Sequence, residues 1–342
     1  VIKYIGSKRA LIEPILTAVR GALPQGGRVC DLFSGTARVG RALKADGFDV
    51  WSNDLNAYAH VLAATYVQAD AGHWRERAAQ VIAELADVKP EAGWFTRTFC
   101  EQARYVHPDN GARIDAVRER IAAMALEPEL EAIALTSLME AADRVDSTAG
   151  VQMAYMKAWA PRALKPLALR LPDMLPGTGR ATRADAVELA AEVEADLVYL
   201  DPPYNQHSYL GNYHVWESLV LWDKPETYGV ANKRVDVKTR KSAFNRRGEI
   251  GPAMEAVIRD LKAPNLIVSF NDEGYLSRDQ LVDMLSARGH VSVVEIARPR
   301  YVGARIGIHN RKGEKVGQVG RLRNVEHLFI VTDRRIEVAA AA

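Results

Sequence analysis

The chain has 342 residues, 48% of them apolar and 26% charged, and a formal net charge of only +2. That length holds one large domain with an insertion, or two domains, and the composition is that of a soluble globular protein. No run of eighteen apolar residues and no signal-peptide pattern is present, so a membrane-spanning or secreted protein is not expected.

Cys30 and Cys100 stand alone, in Val-Cys-Asp and Phe-Cys-Glu contexts. Two isolated cysteines predict a reducing, cytoplasmic setting, with no disulfide framework and no zinc site. The net charge does not by itself announce nucleic acid; its distribution says more. Seven basic residues against Asp236 lie between Lys233 and Arg247, and eight against Glu314 between Arg298 and Arg323. Such runs usually form solvated faces; beside a base pocket they fit a phosphate footprint.

Lys3-Tyr4-Ile5-Gly6-Ser7-Lys8 opens the chain as an ordered arm. Ile12, Ile15, Leu16 and Val19 follow at helical spacing, and Leu23-Pro24 with Gly26-Gly27 ends that helix. Arg28 to Phe33 reads as the first strand of an α/β unit, and Ser34 to Gly40 as a Gly-containing turn into a helix through Leu43. Gly35 and Gly40 are followed by Arg41-Ala42, so the turn is not a phosphate-binding P-loop. Ala37 in place of a glycine spoils a dinucleotide fingerprint. Phe48 to Asn56 is a second strand ending in an acid, Asp54, about twenty residues after the Gly turn, the usual device for holding ribose hydroxyls.

From Tyr58 to Leu175 the pattern changes to helices: Val61 to Tyr66, Trp74 to Leu85, Ile114 to Met124 and Leu130 to Val145. No second Gly turn with a following acid recurs, so this stretch is an insertion. At its end Tyr155, Lys157, Trp159, Arg162, Lys165 and Arg170 interleave basic and aromatic groups, a composition suited to phosphate contact and base stacking. A solvated connector has equal claim to that segment.

Arg183-Ala184-Asp185-Ala186 and a short helix lead into the apolar run Asp196 to Leu200, a buried strand that stops at Asp201-Pro202-Pro203-Tyr204. Prolines have fixed φ and no N–H, so this loop is stiff. It lies where ligands bind, beyond the carboxyl end of a parallel strand. A carboxylate and a carbonyl there could accept hydrogen bonds from an exocyclic amine of a nucleobase and localise its lone pair, while the aromatic ring stacks on the base. A polar-aromatic loop, Asn205 to Trp216, follows. His207 and His214 lack partners at ligand spacing, and no metal is expected. Met254 to Leu261 and Leu281 to Leu285 read as helices; Asn265 to Phe270, Val291 to Ile296 and His327 to Val331 read as strands.

Together these segments resemble the Dam-like (alpha-group) DNA adenine amino-methyltransferases. The match lies in the N-terminal arm, the Gly turn, Asp54 and the Asp-Pro-Pro-Tyr motif, in that order; the departure is Ala37, where the family has a second glycine. The resemblance implies S-adenosylmethionine as donor, leaving as S-adenosylhomocysteine, held by Tyr4, Lys8, Asp31, Phe33, Gly35, Asp54, Leu55 and Asp185. Tyr4 would pack near the sulfonium, Lys8 meet the donor's carboxylate, and Asp185 lie near its adenine. Asp201, Pro202, Pro203 and Tyr204 would be catalytic.

The implied architecture is an α/β, Rossmann-like methyltransferase sheet of seven strands, mostly parallel with a late antiparallel one. Residues 1–57 and 176–342 form the catalytic domain, and 58–175 an inserted helical target-recognition domain. The expected reaction is direct methyl transfer to the amine of a flipped adenine in double-stranded DNA, by a monomer, with a cognate restriction endonuclease as a candidate companion. Ring-carbon methylation of cytosine needs a Pro-Cys nucleophile, which neither cysteine supplies. Methylation of the cytosine amine is the close alternative, and a nicotinamide dehydrogenase a more distant one.

Overall fold

The computed structural model describes residues 2–299 and 323–333. Nine strands occur among them: β1 (Arg28–Asp31), β2 (Asp49–Asn53), β3 (Arg180–Thr182), β4 (Leu197–Leu200), β5 (Thr227–Tyr228), β6 (Lys233–Arg234), β7 (Asn265–Asn271), β8 (His290–Pro299) and β9 (Arg323–Thr332). Seven form one sheet in the order β3-β2-β1-β4-β7-β9-β8, and β5 and β6 form a separate hairpin. The pairs β1–β2, β1–β4, β2–β3 and β4–β7 are parallel, whereas β9 runs antiparallel to both β7 and β8. The sheet is therefore mostly parallel with one late antiparallel strand, as the resemblance implied.

The central strands are apolar on both faces because both faces are covered. Alternation along β4 divides them: Leu197 and Tyr199 enter one core, Val198 and Leu200 the other. Helices α1 (Ile12–Ala22), α2 (Arg38–Ala45), α3 (Ala57–Ala63), α4 (Ala71–Ala86), α5 (Pro108–Ala123) and α6 (Pro128–Arg144) bury their apolar stripes in the first core. After two short helices, α7 (Ala186–Leu189) and α8 (Tyr209–Asn212), α9 (His214–Leu221) joins the same core. On the opposite face α7 packs with α10 (Ile250–Asp260) and α11 (Arg278–Ser286).

The helices expected in the long insertion are all present, and they share one continuous core with the sheet. Helix α5 starts earlier than its apolar spacing indicates, because Pro108 occupies the first turn and His107 caps it. A π-helical turn, Ala64–Gln68, continues α3. Strand β3 and the β5–β6 hairpin have no counterpart in the sequence reading. They are two or three residues long and, the buried Arg234 apart, only partly buried, so they carry no run of apolar alternation.

Candidate active site

Parallel strands bring Asp31, Asp54 and Asp201 to one edge of the sheet, since each follows or closes a neighbouring strand, β1, β2 and β4. Backbone bonds fix the edge: Leu32 N–H donates to the Tyr199 carbonyl at 3.1 Å, and Ser34 N–H to the Asn53 carbonyl at 2.8 Å. Buried Asn53 ties in the next loop, its amide nitrogen donating to the Leu32 and Ala184 carbonyls at 3.2 and 3.1 Å. The antiparallel β9 adds something different. Its N-terminal end lies at this same edge, so Glu326 stands opposite Asn271 at the end of β7.

A cleft of about 980 Å³, counted to its open mouth, runs along this edge. Tyr4, Lys8, Asp31, Phe33, Gly35, Asp54, Leu55 and Asp185 line it, and so do Asp201 and Pro203. Thus every residue expected to hold the donor meets the Asp201 carboxylate in one cavity. Pro202 is buried beneath the loop, and Tyr204 packs against Phe270 with ring centroids 5.6 Å apart. The loop is pinned from outside by Asn245, whose amide donates to the Asn205 carbonyl at 2.8 Å, and by Tyr275 N–H, which donates to the Tyr204 carbonyl at 2.9 Å.

The Gly turn binds Asp54 directly. Gly35, at φ 51°, donates its N–H to Asp54 Oδ2 at 2.9 Å, while Asn56 N–H donates to Oδ1 at 2.9 Å. A Cβ on Gly35 would come within 3.3 Å of the Tyr4 ring. Ala37 adopts φ 56°, ψ 21° and is fully buried. This is the left-handed region, which costs a non-glycine residue about 1–2 kcal/mol and explains why a glycine suits that position. Tyr4 stacks on Tyr213 and Tyr209 at centroid distances of 4.6 and 5.1 Å, and its hydroxyl meets that of Tyr58 at 3.1 Å. Asp185 caps α7 by accepting from Val187 N–H at 2.8 Å.

The cleft crowds buried carboxyl groups that are only partly compensated. Asp31 is 1% exposed and neither of its oxygens has a well-formed hydrogen bond, although the Gly40 and Phe33 N–H groups face it. Burial first, then the charges of Asp201 and Asp54, push it up to about 8. Burial also raises Asp54. Asp201 is pushed up to about 6 by burial, with Lys8 pulling it down and Glu326 adding to the rise. Three crowded carboxyl groups, one met only by the Gly40 and Phe33 N–H groups, suit a cationic ligand.

Lys8 has partners within the chain that the sequence reading did not foresee. Its ammonium is buried and bonded to Asp201 Oδ1 at 2.9 Å and Glu326 Oε1 at 2.5 Å. A buried ammonium needs anionic partners, and these two carboxylates supply them, so Lys8 ties the Asp201 loop to β9 at the wall of the cleft.

Residues 4–284 match the D12 class N6 adenine-specific DNA methyltransferase family. The chain belongs to that family. Among similar proteins, the type II methyltransferase M.NlaIII of Neisseria lactamica is 30% identical over 326 residues, 91% of this chain and 96% of that protein. The type II methyltransferase M.FokI of Planomicrobium okeanokoites is 30% identical over 320 residues, 88% of this chain and 49% of that protein. The chain therefore spans about half the length of the latter. A third, M.CviAII of Paramecium bursaria Chlorella virus 1, is 28% identical over 307 residues, 86% of this chain and 90% of that protein.

As a D12 methyltransferase the chain acts on adenine in DNA, and the family implies S-adenosylmethionine as its donor. The crowded, under-compensated carboxyls of Asp31, Asp54 and Asp201 fit that sulfonium- and ammonium-bearing molecule. Among the described residues no cluster of three or more His, Cys, Asp or Glu could hold a metal, and no helix is long and apolar enough to cross a membrane.

Several residues of this D12 site escaped the sequence reading. Arg240, Ser242, Phe244 and Asn245 line the cleft, with Phe244 edge-on to Phe33 at 5.0 Å. The basic run that contains them is not simply a phosphate footprint. Arg234 is buried between Asp223 and Asp236, at 2.7 and 2.9 Å, and Arg240 binds Glu217 and Asp236, at 2.8 and 3.1 Å. These two cations serve the fold because burial demands charge pairing. In the interleaved segment before β3, Arg162 bonds Asp146 at 2.9 Å, and Arg104 lies over the Trp159 ring at 4.8 Å, so part of that segment is a packed connector. Of the second basic run, Arg298 to Arg323, residues 300–322 lie outside the described residues.

Proposed function

We propose that the cleft holds S-adenosylmethionine and that Asp201 and the Pro202 carbonyl receive the amine of an adenine turned out of the duplex, with Tyr204 stacked on its face. The observation that carries this reading is the convergence of Asp31, Asp54 and Asp201 in one cavity with the aromatic arm at Tyr4. Bound there, the donor supplies an electrophilic methyl group on a cationic sulfur. Asp54, already oriented by Gly35 and Asn56, keeps lone pairs for ribose hydroxyls. Asp31, raised to about 8, would ionise against the donor's positive end, since a nearby cation favours the charged carboxylate.

Lys8 occupies Asp201 Oδ1, which leaves Oδ2 to accept from the adenine amine. Accepting that hydrogen bond localises the amine's lone pair, which the ring otherwise delocalises. The loop prolines hold the acceptors still, so the contribution is positioning. The stretch 58–175 serves target recognition in this reading. Its support is adjacency: Thr148, Gly150 and Arg162 share a surface depression with Lys3 and Tyr4. The names of the relatives support a role as the modification partner of a cognate endonuclease.

The test is Asp201→Ala. Methyl transfer should fall by about 10²–10³-fold or more, with donor affinity by calorimetry little changed. Retained turnover would refute the assignment.

A further inference from the structure

We propose that Glu326, on β9, is a positioning residue for methyl transfer: it holds Lys8, and through that ammonium it sets the orientation and acceptor strength of Asp201. The inference rests on the reading of Asp201 as the group that receives the adenine amine.

Glu326 is 4% exposed and Lys8 7%. One Glu326 oxygen accepts from Lys8 at 2.5 Å and from Ser269 Oγ at 2.7 Å; the other accepts from Asn271 Nδ2 at 3.2 Å. Ser269 and Asn271 alternate along β7 and so share a face, and the Asn271–Glu326 register brings that face to the acid. The sheet itself therefore fixes Glu326 beneath the catalytic loop. Lys8 then spans the two carboxylates, reaching Asp201 at 2.9 Å.

A lysine side chain has four rotatable bonds and a single charge. Paired with Asp201 alone, it could collapse onto the carboxylate, neutralise it and weaken it as an acceptor. Sharing the ammonium with Glu326 leaves the trio with one net negative charge and anchors Nζ from behind. Asp201 stays anionic, held at one oxygen and free to accept at the other. The remaining groups around Asp201 are the carboxyl of Asp31 and the hydroxyls of Tyr199, Tyr204 and Tyr209. Lys8 is the cation among the groups that act on it.

The experiment is the pH profile of single-turnover transfer with saturating donor and duplex DNA, comparing wild type, Glu326→Gln and Lys8→Met. Glutamine keeps the size and an oxygen for Lys8 but removes the charge. We expect the plateau rate to fall about ten-fold or more, the worth of one misplaced charged hydrogen bond, with KM values for donor and DNA little changed. The acid limb should move to lower pH by about one unit, because Asp201 loses a like charge a few ångströms away. In Lys8→Met the limb should move the opposite way, since the compensating cation is gone.

An acid limb that stays in place in Glu326→Gln would overturn the proposal. Should that variant not fold, the double variant Lys8→Met/Glu326→Gln decides: with the ammonium gone Glu326 has nothing to hold, so its plateau rate should match that of Lys8→Met alone, and a further fall of about ten-fold would overturn the proposal. Failure of the underlying reading looks different, because Asp201→Ala would then retain turnover.

Discussion

Asp31 gives the sharpest link between stability and donor binding. Its folded-state carboxyl is raised from 3.8 to about 8, by burial first and by Asp201 and Asp54 next. A raised carboxyl favours the folded state fully below the unfolded value and loses that contribution as pH rises through the folded one. Between pH 4 and 8 the unfolded chain ionises Asp31 and the folded chain resists, so stability without donor should fall by about 1.4 kcal/mol per pH unit. Across the interval that is on the order of 5 kcal/mol, a large share of a domain's stability. Asn in this place cannot ionise. Urea unfolding of donor-free protein at pH 5, 6, 7 and 8 should show Asp31→Asn becoming progressively more stable than wild type, with the difference levelling above pH 8. In the proposed reading the same substitution should also weaken donor binding by calorimetry, because it removes the carboxyl that would ionise against the donor's positive end. Stabilities that run parallel across this range would refute the argument that Asp31 is buried without compensation.

Other outcomes follow from single contacts. Gly6 sits at φ 73°, and a Cβ there would lie 2.8 Å from the Tyr209 hydroxyl. Gly6→Ala should cost about 1–2 kcal/mol for the backbone alone and disturb the Tyr209–Tyr4 stack, so both the calorimetric Tm and donor affinity should drop; an unchanged Tm would contradict this. Glu217 is fully buried and accepts from Arg240 at 2.8 Å, with Arg183 more distant at 3.7 Å. Arg240→Met should destabilise by about 3 kcal/mol by leaving that carboxylate under-compensated. Chemical denaturation should show most of the loss recovered in the double variant with Glu217→Gln, and no recovery would mean that packing, not charge, is at stake.

Much of this site was legible because its signals are local. Asp201-Pro202-Pro203-Tyr204 ends an apolar strand, Gly35 sits in a turn after another, and Asp54 closes a third, so chain order and strand-end position sufficed to converge them. The helices of the insertion were legible from their spacing, although their membership of the sheet's own core was not. What stayed hidden depends on partners far away in sequence. Lys8 carries no local sign that it will meet Asp201 and Glu326, residues that only the β4–β7–β9 order brings beside it. Glu326 begins an apolar strand and reads as an ordinary solvated acid until β9 is known to run antiparallel. Arg240 and Arg234 were lost within a basic run, because composition does not distinguish a cation facing phosphate from one neutralising a buried carboxylate. Strand β3 was missed for want of length.

The most direct test of the account is transfer of a labelled methyl group from S-adenosylmethionine to unmethylated duplex DNA, followed by digestion to nucleosides and mass analysis. The account predicts methyl on the exocyclic amine of deoxyadenosine. Methyl on the amine of deoxycytidine, or no incorporation into varied duplexes despite measured donor binding, would contradict it.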